Sequence, residues 1–263
     1  MIGGMTPDTT TFTDWLSDRA RERDAAGLHR ETVVRGDAGP EHVVDLASND
    51  YLGLRRHPRV IEAARAAAGS GGGAGASRLV TGTLPIHAEL EDRLAALVGT
   101  PAALVLSTGY HANLAATTAL ADADTLIVSD AHCHASLIDG MRLSRGSVQV
   151  ARHRDLGHVE ELLTARVGRD GEPRDRAMVV VESVYSVLGD AAPLVELADL
   201  CAEHDAVLLV DDAHGLGVRG ADGAGLVAGS GIDGRPPAAM TTESAVMISP
   251  VPVSIVRGPT NRA

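Results

Sequence analysis

Two stretches in the second half of the chain, Ala177–Glu182 (AMVVVE) and Ala206–Asp212 (AVLLVDD), are apolar without alternation. A strand with one wet face alternates apolar and polar side chains, so unbroken runs of Val and Leu demand cover on both faces of a sheet. The rest of the pattern supplies that cover. Short apolar runs at Ala103–Leu106, Thr125–Ser129, Val148–Ala151, Ala177–Val181 and Ala206–Val210 are separated by helical segments at about 111–120, 135–143, 158–166 and 194–204. Strand alternating with helix predicts an α/β fold, a mostly parallel sheet flanked by helices on both sides. Apolar residues make up 44% of the 263 but aromatics only 2%. The layers between sheet and helices must therefore be filled by Ala, Val and Leu, each burying less surface than a Phe.

The flanks differ from this body. Residues 11–28 read as an amphipathic helix that starts at a capping-box pair, Thr11 with Asp14, and carries Phe12, Trp15 and Leu16 on one face. A β-like stretch at Val43–Leu46 leads into the turn-rich SNDYLGL. Pro58, at a first helical position, opens a helix to Ala68, and a glycine run at Gly69–Gly75 separates it from a helix over Ile86–Val98 that stops at Gly99. Beyond about Gly229 no helical period remains. Two strand-like pieces, Ala245–Ser249 and Val251–Val256, are each disfavoured by Pro250 or Pro252. The expected organisation is a helical arm over 1–48, a large body over 49–228 and a poorly specified tail over 229–263. There is no internal repeat.

A formal charge of −12 argues against a nucleic-acid partner, because phosphate backbones need basic surface. Two cysteines, Cys133 and Cys201, are too few for a disulfide framework and fit a reducing cytoplasm. The N-terminal residues lack the basic and apolar regions of a signal peptide, and no apolar run reaches membrane-spanning length.

The chemistry-bearing segments sit where strands end. In open α/β sheets ligands bind beyond the carboxyl ends of strands. Asp211-Asp212-Ala213-His214-Gly215 ends one run, and a carboxylate there can pair with the protonated nitrogen of a pyridine-type cofactor while His214 reaches a neighbouring phenolic oxygen. A helix cap with a satisfied histidine is the competing reading. Ser107–Asn113 (STGYHAN) follows a strand and opens a helix, a place where backbone N–H groups bind phosphate or simply turn the chain. Asp130–Ser136 (DAHCHAS) offers His134 as a flat face for an aromatic ring. Its HCH triplet has no second close-spaced ligand pair to complete a metal site. Ser186, in ESVYS, is either a donor to a ligand oxygen or a turn residue. Gly215–Gly220 matches GxGxxG, but the following ADGAGL is too rich in glycine for the required helix and no acidic residue ends a second strand about 20 positions on.

Taken in order, NDYLGL (49–54), the glycine run leading to SRLVTGT (77–83), His87 ahead of Glu89 and Glu91, STGYHAN (107–113), HCHASL (132–137), ESVYS (182–186) with Gly189-Asp190, and DDAHGLGVRG (211–220) resemble the α-oxoamine synthase family of pyridoxal 5′-phosphate (PLP) enzymes. The resemblance covers about residues 11–233. It implies a PLP-transferase-like large domain over 49–228. It also implies PLP as cofactor, with Gly109 and Tyr110 at its phosphate, His134 stacked on its ring, Asp211 on its ring nitrogen, and Ser186 and His214 on the phenolic side. Asn49 would position an amino-acid carboxylate and Arg30 would meet the acyl substrate. His134, Asp211 and His214 would be the catalytic set. The DDAHG-x-GV form points to the branch that condenses L-alanine with pimeloyl-CoA or a pimeloyl carrier protein, in a homodimer. Branches of the glycine C-acetyltransferase or 5-aminolevulinate synthase type, and a non-catalytic PLP- or CoA-binding fragment, are the alternatives.

The chain departs from the family in one region. The Schiff-base lysine belongs in a Thr/Ser-x-x-Lys-x-x-Gly segment just past residue 233, where this chain reads PPAAMTTESAVMISP. All 23 basic side chains are arginine, and a guanidinium cannot form that bond. The resemblance thus implies an incomplete large domain, a missing C-terminal small domain, PLP held without covalent attachment, and a truncated or frame-shifted product inactive as written. Two further strands should lie between the first sheet strand and the one ending at Asp211.

Overall fold

The computed structural model describes residues 11–32, 34, 45–230, 232, 245–248 and 252–257. The chain divides into two compact units, Met1–Asn49 and Asp50–Ala263.

In the first unit, helix α1 (Phe12–Ala25) starts at the expected capping box. The Asp14 N–H donates to Thr11 Oγ1 at 3.1 Å and the Thr11 N–H returns to Asp14 Oδ2 at 3.1 Å. The helix stops short of residue 28 because the chain turns left-handed at Gly27, φ 66°. Phe12 and Trp15 stack at 5.4 Å, and the apolar face they share is exposed. The β-like stretch proposed at Val43–Leu46 falls partly outside the described residues, and Asp45 and Leu46 are not strand.

The second unit is the α/β body. Helices α2 (Pro58–Ala68) and α3 (Pro85–Val98) precede strand β1 (Ala102–Val105). There follow α4 (Gly109–Leu120), β2 (Thr125–Asp130), α5 (Ala135–Ser144), β3 (Ser147–Ala151), α6 (Leu156–Ala165), β4 (Arg176–Glu182), α7 (Leu194–Glu203) and β5 (Ala206–Asp211). A short α8 (Gly225–Ser230) leads to β6 (Ala245–Ile248) and β7 (Pro252–Arg257). The sheet order is β1-β6-β7-β5-β4-β2-β3, parallel except where β7 runs against β5 and β6.

Burial explains the unbroken apolar runs. Leu126, Val128, Val179, Val181, Leu208 and Val210 face one side, against Val159 and Leu163 of α6 and Leu194, Leu197, Ala198 and Cys201 of α7. Their strand neighbours Ile127, Met178, Val180 and Leu209 face the other side, against Ala112 and Ala116 of α4 and Leu137 and Met141 of α5. Period-two alternation is present, but both of its faces are dry.

Three details correct or refine the sequence reading. ADGAGL is not itself an α-helix, as its glycines imply: Ala221–Gly223 form a 3-10 turn, and the short helix α8 begins only at Gly225, its start held by a distant side chain. Leu226 and Val227 donate their N–H groups to the Asp212 carboxylate at 3.3 and 3.4 Å. Gly215 and Gly225 are small because a Cβ on either would collide with that same carboxylate. The two proline-flanked pieces near the C-terminal end both pair, β6 with β1 and β7 with β5, giving β1 its neighbour in the sheet. Pro252 occupies the first position of β7, where a strand tolerates it.

Candidate functional site

The carboxyl ends of β2, β4 and β5 lie side by side, and each delivers acidic or imidazole groups. Asp211 ends β5 and is buried. Its Oδ1 accepts the Ala213 N–H at 2.9 Å, and its Oδ2 accepts Asn113 Nδ2 at 2.8 Å. Asn113 projects from the sheet-facing side of α4, and the same Nδ2 donates to Ser136 Oγ at 2.8 Å. An ionised carboxylate only accepts, so the amide must point its nitrogen at Asp211. Its Oδ1 is left buried without a partner.

The chain of hydrogen bonds continues to the imidazole. His134 caps α5, and its Nδ1 accepts the Ser136 N–H at 3.2 Å and lies 2.7 Å from Ser136 Oγ. Nδ1 is thus the acceptor and the ring proton sits on Nε2. The ring itself is exposed. A line Asp211–Asn113–Ser136–His134 therefore joins a buried carboxylate to an open imidazole face, although Asn113 and Asp211 stand 98 positions apart in sequence.

Glu182 ends β4 directly beside Asp211 in the sheet register and is also buried. Its Oε2 accepts the Ser186 N–H at 2.9 Å, while its Oε1 has no partner. Burial pushes its carboxyl up to about 7, opposed by the Ser186 N–H and reinforced by the neighbouring Asp211 charge. Asp211 is likewise raised by burial, against the pull of Asn113 and the Ala213 N–H. Asp212, raised by burial, takes the Ser183 hydroxyl and the α8 amides and anchors the loop that carries His214.

Of the residues singled out from sequence, Asp211 and His134 are joined as described. His214 lies three residues beyond Asp211, half-buried, with Nδ1 2.5 Å from the Tyr51 hydroxyl. Ser186 is exposed just past β4 and is tied to Glu182. Gly109 and Tyr110 open α4, where first-turn amides have no intrahelical acceptor. Thr108 Oγ1 caps that turn by accepting the His111 N–H at 3.1 Å, and the Tyr110 hydroxyl turns to Asp139 on α5. Arg30 and Asn49 belong to the first unit, where both are exposed.

Sequence reasoning passed over Asn113, Ser136 and Glu182 as site residues. It also missed the brace behind α4. Arg78 donates to the Val105 carbonyl at 2.9 Å and to Glu91 Oε1 at 2.8 Å, and Glu91 Oε1 accepts the Val105 N–H at 2.8 Å. This ties the SRLVTGT segment and α3 to the end of β1. The available signal was an amide side chain among the small residues of the buried face of α4 (Asn113) and a carboxylate ending an apolar strand (Glu182).

The fold and this strand-end cluster define a class, and the family model described as "Aminotransferase class I and II" matches residues 41–246. The chain belongs to that family and has its α/β, PLP-transferase-like fold. Among curated relatives it is 50% identical over 229 residues to 8-amino-7-oxononanoate synthase of Mycolicibacterium gilvum and 51% identical over 229 residues to that of Mycolicibacterium smegmatis. These matches take in 87% of this chain and 58% of each relative, so the chain spans rather more than half their length. Among solved structures it is similar to a serine palmitoyltransferase variant from S. paucimobilis with a bound PLP–myriocin adduct. The TM-score is 0.72 at 30% identity, over 95% of this chain and 66% of that one. The 8-amino-7-oxononanoate synthase of Francisella tularensis shares the fold, with TM-score 0.64 at 23% identity over 83% of this chain and 59% of that one.

Proposed function

We propose that this chain forms the cofactor-binding part of an 8-amino-7-oxononanoate synthase, which joins L-alanine to a pimeloyl thioester with loss of CO2 in biotin biosynthesis. Identity near 50% to curated 8-amino-7-oxononanoate synthases supports this branch. The reading extends to a cytoplasmic homodimer, in keeping with two buried, unpaired cysteines.

The observation that carries the reading is Asp211. It is a buried carboxylate with no arginine paired to it among the described residues, and a protonated pyridine nitrogen is the kind of cation that would offset its burial. The surroundings fit PLP. Asp211 would hold the ring nitrogen protonated, with Asn113 fixing the carboxylate. His134 would lie flat on the ring, oriented by Ser136. His214 and Ser186 would donate toward the phenolic oxygen, and the amides of Gly109 and Tyr110 at the start of α4 would take the phosphate. Asn49 and Arg30 are assigned to the alanine carboxylate and the acyl donor. When bound, PLP supplies an electron sink for the carbanion formed at the alanine α-carbon. These 263 residues contain no lysine, so they offer no side-chain amine for covalent attachment.

Calorimetric titration with pyridoxamine 5′-phosphate, which needs no lysine, tests the proposal. Saturable binding that Asp211→Ala removes is expected. No binding by the parent protein, or equal binding by the variant, would overturn it.

A further inference from the structure

Outside the line of residues just described, His153 stands between two carboxylates. It follows β3, with Nδ1 2.8 Å from Asp130 Oδ1 and Nε2 3.0 Å from Asp190 Oδ2. Ionised carboxylates only accept, so both bonds exist together only when both ring nitrogens carry protons. Burial opposes that charge, but the hydrogen bonds and charges of Asp130 and Asp190 outweigh it, and the imidazole is raised above its ordinary value.

The groups facing the ring come from every neighbouring segment. β2 and the loop after it supply Asp130 and His132, whose ring meets His153 edge-on at 4.6 Å. The β4–α7 connection supplies Asp190 and the buried Tyr185, edge-on at 4.5 Å. The segment of His153 itself supplies Arg154, whose N–H donates to Asp130 Oδ2 at 2.9 Å and whose guanidinium donates to Asp190 Oδ2 at 3.0 Å. Asp130 also accepts the His132 N–H at 2.8 Å, ordering the loop that leads to His134. Asp190 accepts on its main chain from the Tyr185 N–H at 2.9 Å, closing the turn that presents Ser186.

We propose that His153 is a positioning residue, an imidazolium latch that clamps the 131–134 loop to the 183–190 turn and so sets His134 relative to Ser186. The proposal rests on the cofactor site argued above. His153 touches neither cofactor nor substrate in it. A neutral imidazole donates from one nitrogen only, so the latch is complete at low pH and opens as pH rises through the titration of the folded ring.

The test compares the parent with His153→Leu and the one-armed His153→Gln. In His153→Leu, amides of both 131–136 and 183–190 should exchange faster by about tenfold or more, the scale of a lost charge-assisted hydrogen bond, with β4 and β5 unchanged. Affinity for pyridoxamine 5′-phosphate should fall by a similar factor of about ten, while inorganic phosphate, held at the start of α4, binds as before. His153→Gln should lie between. In the parent, affinity should drop with pH in step with the His153 ring nitrogen resonances, and both variants should lack that step. Unchanged exchange in either loop, or a pH step that survives in His153→Leu, would overturn the latch. A parent that binds no pyridoxamine 5′-phosphate would sink the cofactor reading, and the exchange comparison and ring titration would still decide the latch. If His153→Leu does not fold, the titration in the parent and the His153→Gln data decide it.

Discussion

Replacing Glu182 with Gln removes a charge from the most crowded acidic position in the sheet. Glu182 is 2% exposed, neighbours Asp211 in register, and leaves Oε1 without a partner. Its carboxyl is pushed from 4.5 to about 7 by burial, a change corresponding to about 3 kcal/mol at roughly 1.4 kcal/mol per pH unit. The folded chain therefore holds a proton that the unfolded chain has released between about pH 4.5 and about pH 7. Across that window stability falls as pH rises, and above it the loss is complete. Gln keeps an oxygen for the Ser186 N–H and never ionises. Its amide nitrogen inherits the unpartnered position, at a cost of about 1 kcal/mol or more that does not depend on pH. The informative quantity is thus the difference in slope. Urea unfolding at about pH 5 and about pH 8 should show the parent losing about 3 kcal/mol more than Glu182→Gln. Relief of the charge on Asp211 acts in the same direction. Parallel losses in the two proteins would refute the claim that a buried Glu182 charge is unfavourable.

Asn113→Ala removes both donors of the line from Asp211 to Ser136, and should cost about 1–3 kcal/mol in denaturant unfolding and weaken pyridoxamine 5′-phosphate. Unaltered affinity would mean that Asp211 keeps its orientation without the amide. Incubation with PLP followed by borohydride should leave no phosphopyridoxyl group on any side chain of these residues by peptide mass spectrometry, because none is lysine. A modified side chain within the strand-end cluster would contradict the non-covalent reading. With L-alanine and pimeloyl-CoA, these 263 residues should release no CoA above the background with alanine omitted. Sustained formation of 8-amino-7-oxononanoate would show that catalysis here does not need the missing amine.

The mostly parallel sheet was legible because two-sided burial leaves a mark on sequence: the short apolar, Val- and Leu-rich runs around Val179 and Leu208, spaced by helical segments, fit interior strands. Helix starts were legible where local chemistry marks them, as at Thr11 with Asp14 and at Pro58. What escaped was whatever depends on distant partners. The short helix α8 starts where Asp212 holds its first amides, a partner that local composition does not reveal. β6 and β7 pair through their backbones with β1 and β5, and prolines at or beside their ends do not prevent this. At the candidate site, Asp211 at the end of β5 and His134 at the start of α5 could be singled out by residue type. Asn113 and Ser136 hold those two in place, and Glu182 lies beside Asp211 in the sheet register; these relations appear only when α4, α5 and the strand ends are brought together. His153 is of the same kind, since one of its carboxylate partners comes from β2 and the other from the turn after β4.

The central claim is that Asp211 waits for a protonated ring nitrogen. A crystal structure of the chain with pyridoxamine 5′-phosphate measures this most directly. It should show the ring nitrogen within hydrogen-bond distance of Asp211, the ring flat against His134, and the phosphate at the amides of Gly109 and Tyr110. A ligand bound elsewhere, or bound here with Asp211 still held only by Asn113 and the Ala213 N–H, would contradict it.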